Sequence, residues 1–179
     1  IMKQIIELKE RIREFRHLLD LLKYDKENKI EVVYNPINNF SNKEEYPVDF
    51  GLFMEEIGEL EVSYSGEGIL LRVEKPIDLI GNEGGEDSFL NIEWNEIRKI
   101  FNKYDENNIV LSKDVKIISR DFEGYLYGFS KKRNEKSYNF IFEEKFGNLY
   151  QLNFFDWLQK YMFTILDDFG VGNYTNLSN

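Results

Sequence analysis

The chain has 179 residues, of which 42% are hydrophobic and 31% are charged, and its formal net charge is −10. This length fits one domain that buries its own core, and the composition excludes a disordered tail. No apolar run approaches the roughly 20 residues of a membrane span. The chain has no cysteine, which excludes disulfides and thiol chemistry. Because the first residues lack a basic leader and an apolar stretch, we expect no secretion signal and a cytoplasmic location.

The charge balance also indicates the kind of partner. An acidic surface repels the phosphates of DNA and RNA, so direct binding of nucleic acid is disfavoured. The same surface attracts a basic protein and speeds the encounter with it. We therefore expect a basic protein as the partner, with neither nucleic acid nor a membrane bound directly.

An amphipathic helix is predicted at the N-terminus. Its apolar residues recur at intervals of three and four, a heptad-like seam made of Ile5, Leu8, Ile12, Phe15, Leu19 and Leu22. Two uses of this seam stay open, namely packing onto the rest of the chain and a homodimer through these six residues. The single histidine, His17, lies on this charged helix and has no partner spacing, which predicts a surface position and not a catalytic or metal-binding one.

The next segment predicts a strand at 29–34, a loop at 35–39 and then a short helix. Pro47 suits the first turn of this helix, and Gly58 suits its end. Its predicted apolar face is Phe50, Phe53, Met54 and Ile57. Strands are predicted at 60–64 and 69–73, and Pro76 closes the second because proline cannot donate to a ladder.

The second half predicts an acidic, glycine-rich loop at 81–87 and a helix at about 90–104, followed by five strands and a closing helix. The helix at about 90–104 is predicted to bury Trp94, Ile97, Phe101 and Tyr104. The strands are predicted at 109–111, 115–119, 125–129, 138–142 and 149–152. The closing helix, 154–169, presents Phe155, Leu158, Met162, Ile165 and Leu166 to the core. This order predicts an α+β single domain, with a mainly antiparallel curved sheet of about five to six strands packed by helices.

Several acidic residues are candidates for function. The 81–87 loop lacks the Lys-Ser/Thr ending of a phosphate loop and the alternating acids of a calcium loop. It is either a solvated connector or a contact surface, and we expect Glu83, Glu86 and Asp87 to contact a basic partner because exposed acids suit its capture. Neighbouring acids elsewhere do not identify a glycosidase pair, because adjacency in sequence does not place two carboxylates across a groove. We expect no catalytic residue, no metal and no cofactor.

Asp121 and Glu123 precede Gly124 between two predicted strands. A short connection of acid and glycine is typical of a hairpin, with the glycine free to adopt positive φ. Along the next strand Tyr125, Tyr127 and Phe129 alternate with other residues, so one face is aromatic. We predict that Asp121 and Gly124 form the turn, and that Asp121 and Glu123 also contact the partner.

The order of these elements resembles the SUKH superfamily, whose founding members are yeast cell-wall synthesis regulators. The matching positions are Tyr46-Pro47 and Ile57-Gly58 around the short helix; Asp121, Gly124, Tyr127 and Phe129 in the acid-glycine strand; and Phe154, Phe155, Trp157 and Leu158 in the terminal helix. The resemblance implies a SUKH-like domain at 43–169, an N-terminal extension at 1–42 and a polar tail at 170–179.

The resemblance implies a function without catalysis. Bacterial SUKH domains are similar to immunity proteins, which bind and neutralise a cognate polymorphic or contact-dependent toxin, commonly a nuclease. An acidic inhibitor suits such a toxin, because the toxin's site must be basic to hold phosphates. Two alternatives stay open, an intracellular protein-binding regulatory module without a toxin partner and a carboxylate-based hydrolase.

Overall fold

The computed structural model describes residues 1–27, 29–65, 68–79, 89–104, 107, 110–151 and 153–171, and for 89–92 it describes the backbone only. Within these ranges the chain forms an open seven-stranded antiparallel sheet with helices on both faces. The predicted α+β class with an antiparallel sheet and an N-terminal helix is confirmed, with a slightly larger number of strands than expected.

The sheet is a meander in which each strand pairs with the next one along the chain. Strands that follow one another along the chain are commonly neighbours in a sheet. The strands are β1 (Ile30–Asn35), β2 (Glu59–Tyr64), β3 (Gly68–Asp78), β4 (Val115–Asp121), β5 (Leu126–Ser130), β6 (Phe140–Glu143) and β7 (Asn148–Gln151). As a result, β1 and β7 form the two edges of the sheet.

In the described part of the chain four α-helices accompany the sheet, α1 (Met2–Tyr24), α2 (Val48–Glu56), α3 (Phe89–Tyr104) and α4 (Phe154–Asp168), with 3-10 helices at Lys43–Glu45 and Ser112–Asp114. None of the helices in the described ranges combines the length and the apolar character needed to cross a membrane. Successive residues of a strand point to opposite faces of the sheet. On β5, Tyr127 and Phe129 join the large core with α1, α2 and α4, whereas Leu126 packs with α3 on the other face.

The apolar faces predicted for α2 and α4 are confirmed, since every residue predicted to face the core is buried. Phe50 of α2 forms edge-to-face contacts with Phe129 of β5 and Phe154 of α4, at centroid distances of 4.8 and 4.9 Å. Such pairs add to the hydrophobic stabilisation of a core. They hold the N-terminal end of α4 against the centre of the sheet.

The N-terminal helix packs within the chain. Ile12, Phe15, Leu19 and Leu22 of the seam are buried, and Phe15 meets Phe155 of α4 edge-to-face at 5.5 Å. The segment predicted as an extension therefore contributes α1 to the core and β1 to one edge of the sheet. The homodimer through the seam stays a prediction, but in this chain four of its six residues are already covered.

Two strand predictions are wrong in detail. Strand β3 does not close at Pro76 but continues to Asp78, and the pairing with β4 is irregular between Val73 and Ile77. This irregularity accommodates the proline, because β4 does not pair with β3 at that point and no backbone N–H is needed there. Of the predicted strand 109–111, the described Val110 and Leu111 lie outside any strand, and Val110 instead packs against α3.

One helix face was also predicted wrongly. Tyr104, the last residue of α3, is exposed, whereas Ile97 and Phe101 are buried as expected and Trp94 is partly buried. Tyr104 follows Phe101 at helical spacing, but at the end of α3 it lies outside the core.

Candidate functional site

A groove of about 440 Å3 runs between α4 and the β6–β7 hairpin, beside the edge strand β7. Aromatic side chains form much of its wall, and two carboxylates and one amine are among its polar groups. Its lining residues are Glu143, Phe146, Asn148, Tyr150, Gln151, Asn153, Asp156, Trp157, Lys160, Tyr161 and Thr164.

Helix periodicity explains why α4 serves both the core and the groove. Trp157, Tyr161 and Thr164 follow one another at intervals of four and three and therefore share a face of the helix. The helix begins where Asn153 accepts a hydrogen bond from the N–H of Asp156 at 3.4 Å. A second acceptor for the first turn comes from α2, since Asp49 Oδ2 accepts from the N–H of Phe155 at 2.9 Å.

Glu143 is the buried carboxylate of the groove, with 6% of its surface exposed. Its Oε1 accepts a hydrogen bond from Trp157 Nε1 at 2.7 Å. Its Oε2 accepts from the Tyr150 hydroxyl at 3.0 Å and from Asn148 Nδ2 at 3.2 Å. All three donors are neutral, so they orient the carboxylate without neutralising its charge.

Trp157 and Tyr161 stack with an interplanar angle of 8° and a centroid distance of 5.6 Å. Behind them, the Tyr161 hydroxyl donates to the Tyr127 hydroxyl at 3.2 Å, and the Tyr127 hydroxyl donates to Asp121 Oδ2 at 3.1 Å. Burial raises the pKa of Tyr161 to about 12 and raises the pKa of Tyr127 as well. Both phenols therefore stay protonated at neutral pH and serve as hydrogen-bond donors.

The structure bears out the turn-forming part of the prediction for Asp121. Its Oδ1 accepts from the N–H groups of Glu123 and Tyr125, both at 3.0 Å, and Gly124 has a φ of 90°. The side chain of Asp121 is fully buried, so it offers a partner no surface to contact. The predicted partner contact of this residue is therefore not supported, whereas its role in the hairpin is.

Glu123 remains at the surface, with 43% of its side chain exposed, and forms an ion pair with Lys145. Lys145 also lies 3.7 Å from Asp121 Oδ2 and thereby joins the β4–β5 turn to the β6–β7 turn. Its amine sits near an exposed aromatic cluster at this end of the sheet, formed by Phe122, Tyr125 and Phe146. Phe146 also lines the groove, so this cluster and the groove form a continuous surface.

The remaining predicted contact residues, Glu83, Glu86 and Asp87, lie outside the described residues. Within the described ranges, no group of three or more histidine, aspartate or glutamate side chains is placed to hold a metal ion. His17 lines a separate surface depression between α1 and α4.

Sequence reasoning missed Glu143, Tyr150, Trp157 and Tyr161 as members of one site. A signal was present in β6, where Ile141 and Glu143 share a face of the strand and Ile141 is in the core. A carboxylate that points to the same side of a strand as a core residue is buried and needs hydrogen-bond donors. The aromatic residues that supply or flank those donors belong to β7 and α4, and only the fold brings them together.

No protein-family model, curated protein or solved structure matches the chain. The features that indicate a function are therefore the groove, the carboxylate in it and the net charge of −10.

Proposed function

We propose that the chain is an immunity protein, an antitoxin that binds and neutralises a cognate toxin domain in the cytoplasm of the bacterium that makes both. The toxin is a basic protein, a nuclease of a polymorphic or contact-dependent system. The proposal draws on the order of elements that resembles the SUKH superfamily and on the net charge of −10.

The observation that carries the proposal is the way in which three of the five buried acids of the described residues are held. Asp49, Asp121 and Glu143 are each held by backbone N–H groups, phenols, an indole or an amide. These contacts fix a surface for binding, and they leave the carboxylates little freedom to exchange protons with a substrate. An open aromatic groove on an acidic protein supports recognition of a basic protein.

The hydrolase alternative needs two facing carboxylates in a pocket. Glu143 and Asp156 both line the groove, but Asp156 is bound to Arg11, which also donates to Gln159. Asp156 is thus paired with a cation, and Glu143 accepts three hydrogen bonds. These contacts favour a binding role of the groove over catalysis. No particular contact favours the regulatory module, which would use the same surface.

Co-expression tests the function directly. The reading frame next to this gene is expressed under an inducible promoter, with and without this chain, and growth is followed after induction. We expect growth arrest without the chain and rescue with it. A neighbouring product that is not toxic, or one that stays toxic in the presence of the folded chain, would reject the immunity function in favour of the regulatory module.

The kinetics of association test the electrostatic part of the proposal. Reversing the charges of Glu83, Glu86 and Asp87 together should slow association with the toxin and flatten the dependence of the rate on salt, because steering acts over about 10 Å at 0.1 M salt. An unchanged association rate at low salt would assign this loop no part in capture.

A further inference from the structure

The groove beside β7 contains a negative charge that the described part of the chain does not neutralise. Glu143 forms no ion pair with any described residue, and its three hydrogen-bond donors are neutral. Among the nearby cations, Arg11 binds Asp156 and Lys145 binds Glu123. Lys160 lines the groove but forms no ion pair with Glu143. A buried carboxylate without a counter-ion attracts a cation from outside.

The hydrogen bonds of Glu143 leave room for one more donor. An ionised carboxylate offers about four lone-pair sites. Oε2 uses two of them, for Tyr150 and Asn148, and Oε1 uses one, for Trp157. One acceptor site therefore remains on Oε1, and the hydrogen bond from the Trp157 indole holds this oxygen in place.

The wall of the groove suits a flat cation. Trp157 and Tyr161 stack nearly parallel, and Tyr150 and Phe146 are partly exposed beside them. A guanidinium group is planar, weakly hydrated and able to stack on aromatic rings. An ammonium group is strongly hydrated and would exchange its water for a single hydrogen bond. This geometry favours arginine over lysine.

We propose that the groove is the anchor site for an arginine side chain of a basic partner protein, with the guanidinium against the aromatic wall and one N–H donated to Glu143 Oε1. That the partner is a toxin rests on the proposed function, whereas the chemistry of the groove does not. Lys160 lines the same groove and lowers its affinity for cations through like-charge repulsion.

A small probe tests the groove without a toxin. Nα-acetyl-arginine amide is titrated into the 15N-labelled full chain, and the indole N–H signal of Trp157 is followed after assignment with Trp157→Phe. We expect saturable shifts with a dissociation constant on the order of 1 mM, as suits one side chain. The citrulline analogue, which is neutral, should give no saturable shift, and the lysine analogue should bind several-fold more weakly.

Two substitutions that each remove one negative charge distinguish the proposed contact with Glu143 from a general electrostatic effect of the groove. Glu143→Gln should weaken binding of the arginine probe at least about tenfold, because it removes the charge that the guanidinium meets. Asp156→Asn changes the same charge in the same groove, at a carboxylate that Arg11 already binds, and should change affinity less than about twofold. Equal losses in the two variants would overturn the assignment to Glu143.

Lys160→Met keeps the test decisive if Glu143→Gln fails to fold. Lys160 is exposed, so the fold should tolerate the change, and the arginine probe should bind about two- to fivefold more tightly. Unchanged or weaker binding would contradict the proposal, as would shifts of the Trp157 signal by a phenylalanine amide and not by the arginine amide.

The two proposals fail in different ways. If the arginine probe binds as expected and co-expression gives no rescue, the groove is an arginine site on a protein that is not an immunity protein. If the chain rescues growth and Glu143→Gln rescues it equally, with unchanged toxin affinity, the immunity function holds and the arginine anchor is rejected.

Discussion

Asp49 of α2 accepts a hydrogen bond from the backbone N–H of Phe155, 106 residues later in the chain, at 2.9 Å. The N–H groups of a first helical turn have no partner within the helix, and those that are buried need an acceptor from elsewhere. Asp49 supplies that acceptor for α4 from a buried position. The contact ties the start of α4, and with it the groove face, to the centre of the core.

The first prediction concerns this tertiary cap. Asp49→Ala should lower the free energy of unfolding by about 1–3 kcal/mol, because it leaves the buried N–H of Phe155 without an acceptor. Asp49→Asn keeps one acceptor oxygen and should cost less. Asn153→Ala, which removes the longer and exposed local cap, should cost about 0.5–1 kcal/mol. Urea unfolding of the three variants gives the order, and a larger loss at Asn153 than at Asp49 would contradict it.

The second prediction is a pH dependence. Burial raises the pKa of the Asp49 carboxyl above its ordinary value, against the opposing effect of the N–H groups of Phe155 and Phe50. The folded state therefore holds this proton more tightly than the unfolded state does. The contribution to stability is present below the unfolded pKa, about 3.9, and is lost as the pH rises through the folded pKa. The stability of the wild type relative to Asp49→Asn should fall from about pH 4 to pH 7, and a difference that stays constant or rises would contradict the assignment.

The third prediction separates backbone strain from steric overlap at the end of α2. Gly58 and Gly147 both have positive φ, at 76° and 60°. A Cβ at Gly58 would lie 1.8 Å from the carbonyl oxygen of Asn35, whereas a Cβ at Gly147 meets nothing within 4 Å. Gly147→Ala should therefore cost about 1 kcal/mol, the strain alone, and Gly58→Ala should cost clearly more. Equal losses in thermal unfolding would show that the segment at Asn35 yields freely.

The sequence was sufficient to predict the four α-helices of the described residues because apolar residues recur in each one at intervals of three and four. The faces of α2 and α4 and the helix end at Gly58 follow from spacing and from one glycine. Strand ends were predicted less well, since Pro76 is tolerated at an irregular point of the ladder and that tolerance is set by the partner strand. The hairpin at Asp121 was predictable because the hydrogen bonds that form its turn join residues within four positions of each other.

The groove was not predictable for the opposite reason. Glu143 contacts Trp157 and Tyr150 only in the folded chain, where β6, β7 and α4 lie together. The sequence around Glu143 does not indicate which residues donate hydrogen bonds to it. The capping role of Asp49 was missed likewise, because the N–H that it accepts from, that of Phe155, lies 106 residues away in the chain. Local turn chemistry can be read from one sequence, but the partners of buried polar groups cannot.

The fourth prediction concerns the seam of α1. Leu19 is fully buried in the core, whereas Ile6 of the same helix is about half exposed. Leu19→Ala should destabilise the protein by about 2–5 kcal/mol through lost packing and a cavity, and Ile6→Ala should stay within about 0.5 kcal/mol. If the seam packs within the chain, these losses do not depend on protein concentration. A melting temperature that rises with concentration, together with a dimer in sedimentation, would favour the homodimer.

The last prediction concerns the hairpin that ends β4. Asp121 is buried and accepts from two backbone N–H groups and from Tyr127, so an amide at this position keeps the local acceptor and the turn. We therefore expect the double variant Asp121→Asn, Glu123→Gln to fold with a modest loss of stability, on the order of 1 kcal/mol. If the proposed immunity function holds, this variant should still protect cells from the toxin, with somewhat weaker binding.

Gly124→Val is the counterpart of that double variant, because it leaves both acids in place and forces a branched residue to a φ of 90°. This substitution should lower the free energy of unfolding by more than about 1 kcal/mol, and the misfolded variant should no longer protect cells. Melting temperature, toxin binding and protection are measured for both variants. A folded double amide that binds the toxin and fails to protect would assign the acids a chemical role. A double amide that protects while Gly124→Val unfolds would assign them to the turn, as the proposed function predicts.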